Sequence, residues 1–520
     1  MSLGASSRLM FFVSISLAWC STVVWAQNAD MNTNTSWPKR TDAYGDIISR
    51  TDSTPTLNDV PQAALTSDTL EVDAAISANS VRRVCQDGTP VTETTGSVWY
   101  VARESSGTGN GTTWDGAFNT IQPAIDAAFA AGGGEVWVTR GVYDEVRLTL
   151  SGALSMAPGV QVYGGFIGTE TARDERDWEA NATRIDGSQA RAGSSAYHVV
   201  VGAEDAMLDG FEITGGRAVG AGDDDQVGGG MLIKNASMTV ARCTFFVNVG
   251  GWGGGLAIVT SASPTIERCI FENNQGTVNG GGVHVWDQCA PLFRDCIFTN
   301  NSAERMGGAL LEGGDSASTI FGCYFNLNFA RNLGGAIGEY EGGASRIVNC
   351  VFVGNTVQSD QWGGGGLGCW QSAPIVINCT FSMNSSPFGA GIYQDGPPAP
   401  MRVINSILWE DVGGELNGSF DITYCNVQGG AQGEGNLSPP ENPLFVDPEN
   451  GDFRLAANSP CIDRGTLSEA PTVDIIGTPR PQDQGIDMGA YEYAPGQEGE
   501  GEGEGEGEEP PLTPWVTVAI

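Results

Sequence analysis

The sequence predicts an all-β fold: a single-stranded parallel β-helix whose N-terminal end is closed by a short helix. Three observations lead there. A Cys-x-Phe-x-x-Asn motif returns along the middle of the chain, a glycine-rich motif ending in an apolar residue returns between its copies, and an amphipathic helical pattern precedes both. Repetition outranks the length of 520 residues, which alone would suggest about three domains.

The cysteines of the first motif are Cys243, Cys269, Cys296, Cys323, Cys350 and Cys379, at steps of 26, 27, 27, 27 and 29 residues. Two positions after each stands Phe245, Phe271, Phe298, Phe325, Phe352 or Phe381, and five positions after each stands Asn248, Asn274, Asn301, Asn328, Asn355 or Asn384. Three positions before each is an apolar residue, from Val240 to Val376, and looser copies flank the set near Ile213, Leu408 and Val427. Cys and Phe two apart share one face of a strand. A unit this short buries its apolar face only by stacking on its neighbours, so like residues should form ladders at a rise of ~4.8 Å. Cys and Phe then fill the interior, and Asn sits at a bend where its amide reaches backbone and the Asn of the next turn. The second motif (Gly253–Leu256, Gly280–Val283, Gly307–Leu310, Gly334–Ile337, Gly365–Gly368 and Gly389–Ile392) supplies another corner, where glycine permits tight bends and close backbone approach.

Ahead of the repeats, Ile121, Ala124, Ile125, Ala128 and Phe129 recur at helical spacing, with Thr120 or Asn119 as a cap and Gly132 to Gly134 as a stop. "EVWVTRGVY" then alternates as a strand. A solenoid needs such a helix over its first coil, because an open end exposes core and strand edges. The first 26 residues read as a secretory signal, with Arg8, the apolar stretch "LMFFVSISLAW" and a cleavage site before Gln27. Residues 27–95 are rich in Thr, Asp, Asn and Ser and read as a disordered linker. Residues 96–195 should form the cap and first coils, 196–435 the repeats, 436–494 a closing segment, and 495–520 an extended, acidic Gly/Glu tail.

Paired Phe-x-x-Asn and Gly-Gly-Ala-Ile/Leu/Val repeats resemble those of the chlamydial polymorphic membrane proteins and related bacterial right-handed β-helix proteins. "VYGGFIGTETARDERDWEANATRIDG" (162–187) looks like the segment that opens the repeats in such secreted proteins. "NPLFVDPENGDFRLAANSPCIDRGT" and "DIIGTPRPQDQGIDMGAYEY" resemble the closing signature of the choice-of-anchor Q surface-protein domain. The resemblance spans about residues 96 to 493. It implies a right-handed coil, an extracellular or cell-surface location, and a structural, adhesive or carbohydrate-binding role. The long C-terminal translocating barrel of the polymorphic membrane proteins has no counterpart in this sequence.

Net charge is −37 and the only lysines are Lys39 and Lys234, which excludes a phosphate-binding surface for nucleic acid. Polyuronates and anionic lipids are disfavoured too, unless a divalent cation bridges the charges. No apolar run is long enough to span a bilayer. A polysaccharide, surface glycan or surface protein is the expected partner, and a monomer the expected state.

Histidine is confined to His198 and His284, which weakens Ser-His-Asp, Cys-His and His-ligated metal chemistry. His284, one residue past the inward Val283, is expected on the surface. The ladder cysteines are expected as buried, unpaired thiols, since in-register Cβ atoms stand farther apart than a disulfide prefers. Aligned two residues after the apolar position of the glycine motif are Ile258, Val285, Glu312, Glu339, Cys369 and Gln394; three after are Val259, Trp286, Gly313, Tyr340, Trp370 and Asp395. Glu312 and Glu339 are thus adjacent on successive turns, close enough to raise one pKa, and a pair of acids is the machinery of glycosidases. They are the candidate catalytic residues of a polysaccharide-degrading alternative. Trp286, Tyr340, Trp370 and Asp395 are candidates for contact with sugar rings. Lyase chemistry fits poorly, because the repeats' only lysine is Lys234. Asp223, Asp224 and Asp225 are a candidate calcium group without the spacing of a calcium loop.

Overall fold

The computed structural model describes residues 97–105, 109–147, 149–396 and 399–495. The expected signal (1–26), linker (27–95) and nearly all of the Gly/Glu tail lie outside the described residues. Apart from one closing hairpin, the strands form parallel sheets of 12, 11, 10 and 6 members, and each central turn of the coil gives one strand to each. One such turn runs Thr265–Glu267, Ile270–Glu272, Gln275–Asn279 and Val283–Trp286. The chain is therefore the coiled parallel sheet that the repeats predict.

Strands this short need abrupt corners, and left-handed residues make them: Arg268 (φ 52°), Asn273 (φ 54°), Gly280 (φ 61°) and Asp287 (φ 70°) in that turn. The glycine pair is needed for two reasons. Gly280 adopts the left-handed conformation and a Cβ on it would overlap the Val283 carbonyl, while a Cβ on Gly281 would overlap Gly308 of the next turn.

Like residues stack on like. Phe271 pairs with Phe298 and Phe298 with Phe325. The six rings from Phe245 to Phe381 lie face to face with centroids 4.9, 4.9, 4.7, 4.8 and 4.4 Å apart. The Asn row forms as predicted: Asn248 to Asn355 each donate their amide to the Oδ1 of the next Asn, at 2.9–3.2 Å, and Asn384 donates to Asp411. Among the described residues all ten cysteines are free and buried. The thiols of the ladder cysteines face backbone carbonyls; Cys269, for instance, lies 3.4 Å from Glu267 O and 3.5 Å from Val240 O.

Helix α1 (Ile121–Ala130) buries Ile121, Ala124, Ile125 and Ala128 on the first coils, and these continue into one apolar core reaching Val427. Phe129, expected on that face, is exposed. The 162–187 segment is pinned by buried Asp209, which pairs with Arg176 at 2.9 Å and also with Arg242, while both guanidiniums lie over the Trp178 ring.

The closing segment returns along the outside of the coil. Phe453, Ala490 and Tyr491 cover Val351 and Val353, and Leu455, Cys461 and Met488 cover Ile407. Asn349, Asn378 and Asn405, each the residue before the position of a ladder Cys, donate to the carbonyls of Val473, Asp487 and Thr466. Glu469 bridges Arg346 and Arg402.

Candidate functional site

The two candidate sets lie on the same strands of the 10-stranded sheet: Val283–Trp286, Leu310–Gly313, Ile337–Tyr340 and Leu367–Trp370. Side chains alternate along a strand, so neighbours in sequence face opposite ways. Glu312 and Glu339 are in register, as predicted, in the column Ile258, Val285, Glu312, Glu339, Cys369, Gln394. That column faces the interior. Both carboxylates are 0% exposed, sealed in the coil rather than open to a cleft.

A buried carboxylate needs donors. Glu312 accepts the Ser318 N–H at 3.1 and 3.2 Å, and the Ser318 hydroxyl as well. Backbone pairing aligns Ser318 and Ser345 with Pro264, Pro291 and Pro374, so in the turns of Ile258, Val285 and Cys369 the corresponding N–H does not exist. Gln394 keeps the same rule: its Oε1 accepts Met401 N–H at 3.3 Å, the residue aligned with Pro374. Ser345 stands where it can serve Glu339, but both Glu339 oxygens and the Ser345 hydroxyl remain without a hydrogen bond of good geometry. Burial first, then the Glu312 charge, pushes the Glu339 carboxyl well above its ordinary range. Room for it comes from Gly343: a Cβ there would overlap Glu339 Oε2, whereas the aligned positions in other turns hold Ala262, Cys289, Ser316 and Ser372.

On the outward side stand Trp286, Tyr340 and Trp370, all half-buried, with Asp395 exposed. The three rings pack against one another in a row. They stack on each other, Tyr340 on Trp370 at 4.7 Å and Trp286 on Tyr340 at 6.4 Å, which directs edges outward. Gly313 makes the second contact possible, because the Trp286 ring covers the place where a Cβ at 313 would stand. Sequence reasoning missed the neighbours of this row. Trp362, Phe388 and Tyr393 join Met306, Leu311 and Leu333 in a small apolar cluster beside Tyr340 and Trp370. His284 lies on the outward face but is only 6% exposed; its ring stacks on Trp286 at 5.7 Å. The expectation of a surface His fails because the chain before each glycine pair lies over this sheet. Burial lowers its imidazole to about 3, so it is neutral.

Asp223 and the short 3-10 turn Asp224–Gln226 form an exposed bulge, where both Asp224 oxygens bind Lys234 Nζ, at 2.7 and 2.9 Å. Among the described residues no group of three or more His, Cys, Asp or Glu is arranged to hold a metal. A second buried acid pair escaped the sequence reading. Asp411 accepts the last Asn amide, its own N–H goes to Glu415 at 3.2 Å, and one oxygen of each acid lacks a partner.

The family model described as "Right handed beta helix region" matches residues 180–325. With the parallel sheets, this defines a right-handed parallel β-helix. Solved structures of similar fold include pectate lyase Pel9A (16% identity, 76% of this chain and 96% of that one, TM-score 0.47). The Aspergillus niger pectin methylesterase is similar too (16%, 59% and 92%, TM-score 0.34), as is PfbA, a surface adhesin of Streptococcus pneumoniae (10%, 62% and 89%, TM-score 0.28). No curated protein matches the chain. Among the described residues no helix is long and apolar enough to cross a membrane.

Proposed function

We propose that the protein is an exported β-helix acting at the cell surface or outside the cell as an adhesive or carbohydrate-binding module. The supporting observation is the direction of side chains on the 10-stranded sheet: Glu312 and Glu339 face inward and the aromatic row outward. A surface of ring edges flanked by Glu341 and Asp395 suits contact with sugar hydroxyls, and its negative charge favours a neutral or basic glycan over a uronate polymer. Glycosidase chemistry by Glu312 and Glu339 requires a substrate to reach carboxylates that have no exposed surface.

The test is retention of purified protein on a panel of insoluble polysaccharides, with assay for new reducing ends. Binding without turnover, weakened at least about tenfold by Tyr340→Ala and Trp370→Ala, supports the proposal. Reducing ends lost in Glu339→Gln overturn it. Export is tested separately by sequencing the mature N-terminus, expected at Gln27.

A further inference from the structure

We propose that Glu312 and Glu339, together with the hydroxyls of Ser318 and Ser345, form an interior site for one hard divalent cation of the calcium class. Two carboxylates occupy adjacent turns in register, and both are fully buried. No ion pair among the described residues involves either of them. The Ser345 hydroxyl, itself 1% exposed, lies beside Glu339, yet neither it nor either Glu339 oxygen makes a hydrogen bond of good geometry. Val285 precedes the pair in its column and Cys369 follows it, so no side-chain cation in that column supplies the missing charge.

A pair of buried anions is tolerated only with compensation. One shared proton leaves a net negative charge, whereas one dication cancels both. The donors are carboxylates and hydroxyls, hard oxygen ligands that select calcium or magnesium over zinc or copper. Magnesium keeps several waters, and a sealed interior favours the cation that takes its ligands from protein oxygen. The site is also built beyond its acids. Serine replaces proline at 318 and 345, and Gly343 removes a side chain, all within the two turns that hold the glutamates. Burial means the ion enters as the coil closes, so folding and binding are coupled. This inference is independent of the glycan-binding proposal.

The experiment unfolds the full chain in chelator and refolds it with EDTA or with 1 mM calcium chloride, followed by desalting. Bound metal is then measured by mass spectrometry and stability by thermal melting. The expected result is about one calcium per chain and a Tm higher by roughly 5 °C after refolding in calcium. Asp224→Asn should retain the ion, which separates this site from the exposed Asp223–Asp225 bulge. Glu339→Gln should weaken it at least about tenfold. A variant that restores the pattern of neighbouring turns (Glu312→Val, Ser318→Pro, Glu339→Val, Gly343→Ser, Ser345→Pro) should fold without the ion and ignore calcium. An ion retained by that variant, or wild-type protein that takes up none and melts identically in EDTA and calcium, overturns the proposal. So does stability that rises on acidification with no calcium response, which assigns the pair to a shared proton.

Discussion

Asn274 reaches the same oxygen of Asn301 twice. Its side-chain amide lies 3.0 Å and its main-chain N–H 3.1 Å from Asn301 Oδ1, while Asn301 in turn donates to the Phe271 carbonyl at 2.8 Å. Replacing Asn301 by Leu strands three groups of buried hydrogen-bonding potential at once. The expected cost is about 3–5 kcal/mol, read as a lowered urea midpoint. Asn301→Asp keeps the acceptor but loses the amide donor, and should also destabilise.

Phe325 is stacked between Phe298 and Phe352, at 4.7 and 4.8 Å. Truncation to Ala opens a hole between turns that neighbouring backbones cannot close, so a loss of about 3–5 kcal/mol is expected. Phe325→Leu should cost less, and thermal melting ranks the two.

Gly343 and Glu339 should be coupled. Gly343→Ala alone drives a methyl group into the space of the Glu339 carboxyl and is expected to destabilise, whereas in a Glu339→Val background the carboxyl is gone and the Glu312 carbonyl, 3.4 Å from the new methyl, is in ordinary contact. A double-mutant cycle should return a coupling of at least about 1 kcal/mol. A coupling near zero would mean that the glutamate simply turns aside.

Asp487 fixes the closing segment by accepting the N–H groups of Asp463 (2.8 Å) and Tyr493 (2.6 Å). Burial, then the Glu492 charge, nevertheless raises its carboxyl from 3.8 to about 7. The folded state thus holds this proton more tightly than the unfolded chain. Its contribution is complete below pH 3.8 and drains away as pH rises through about 7. Melting between pH 4 and 7 should show wild-type stability falling, with a flatter profile for Asp487→Asn.

The ladders were legible because period and alternation state them directly. Cys, Phe and Asn recur at fixed offsets, and one strand's inward residue predicts the next. The burial of the acids was legible too, although it was not read. Glu312 and Glu339 share a column with Ile258, Val285 and Cys369, and Val285 faces the same way as Val283, already taken as inward. An apolar column marks an interior, and two acids in it mark a specialised interior rather than a surface. The mutual stacking of Trp286, Tyr340 and Trp370 was not legible, because it depends on the vacancy at Gly313 and on rotamers. Nor was the burial of His284, which comes from chain folded over the sheet. The docking of the closing segment left a trace that a periodic search ignores: Asn349, Asn378 and Asn405 recur just before the Cys positions only where that segment lies.

The row from Asn248 to Asp411 runs in one direction, each member asking one acceptor of its successor and offering one to its predecessor. Such a chain of requests has no built-in length. Deleting or duplicating a complete unit in its midst leaves every amide matched, whereas losing a fraction of a unit breaks the sequence of matches. The reach of the coil is therefore a quantity that recombination can lengthen or shorten in whole steps of about 4.8 Å, with both ends left as they are.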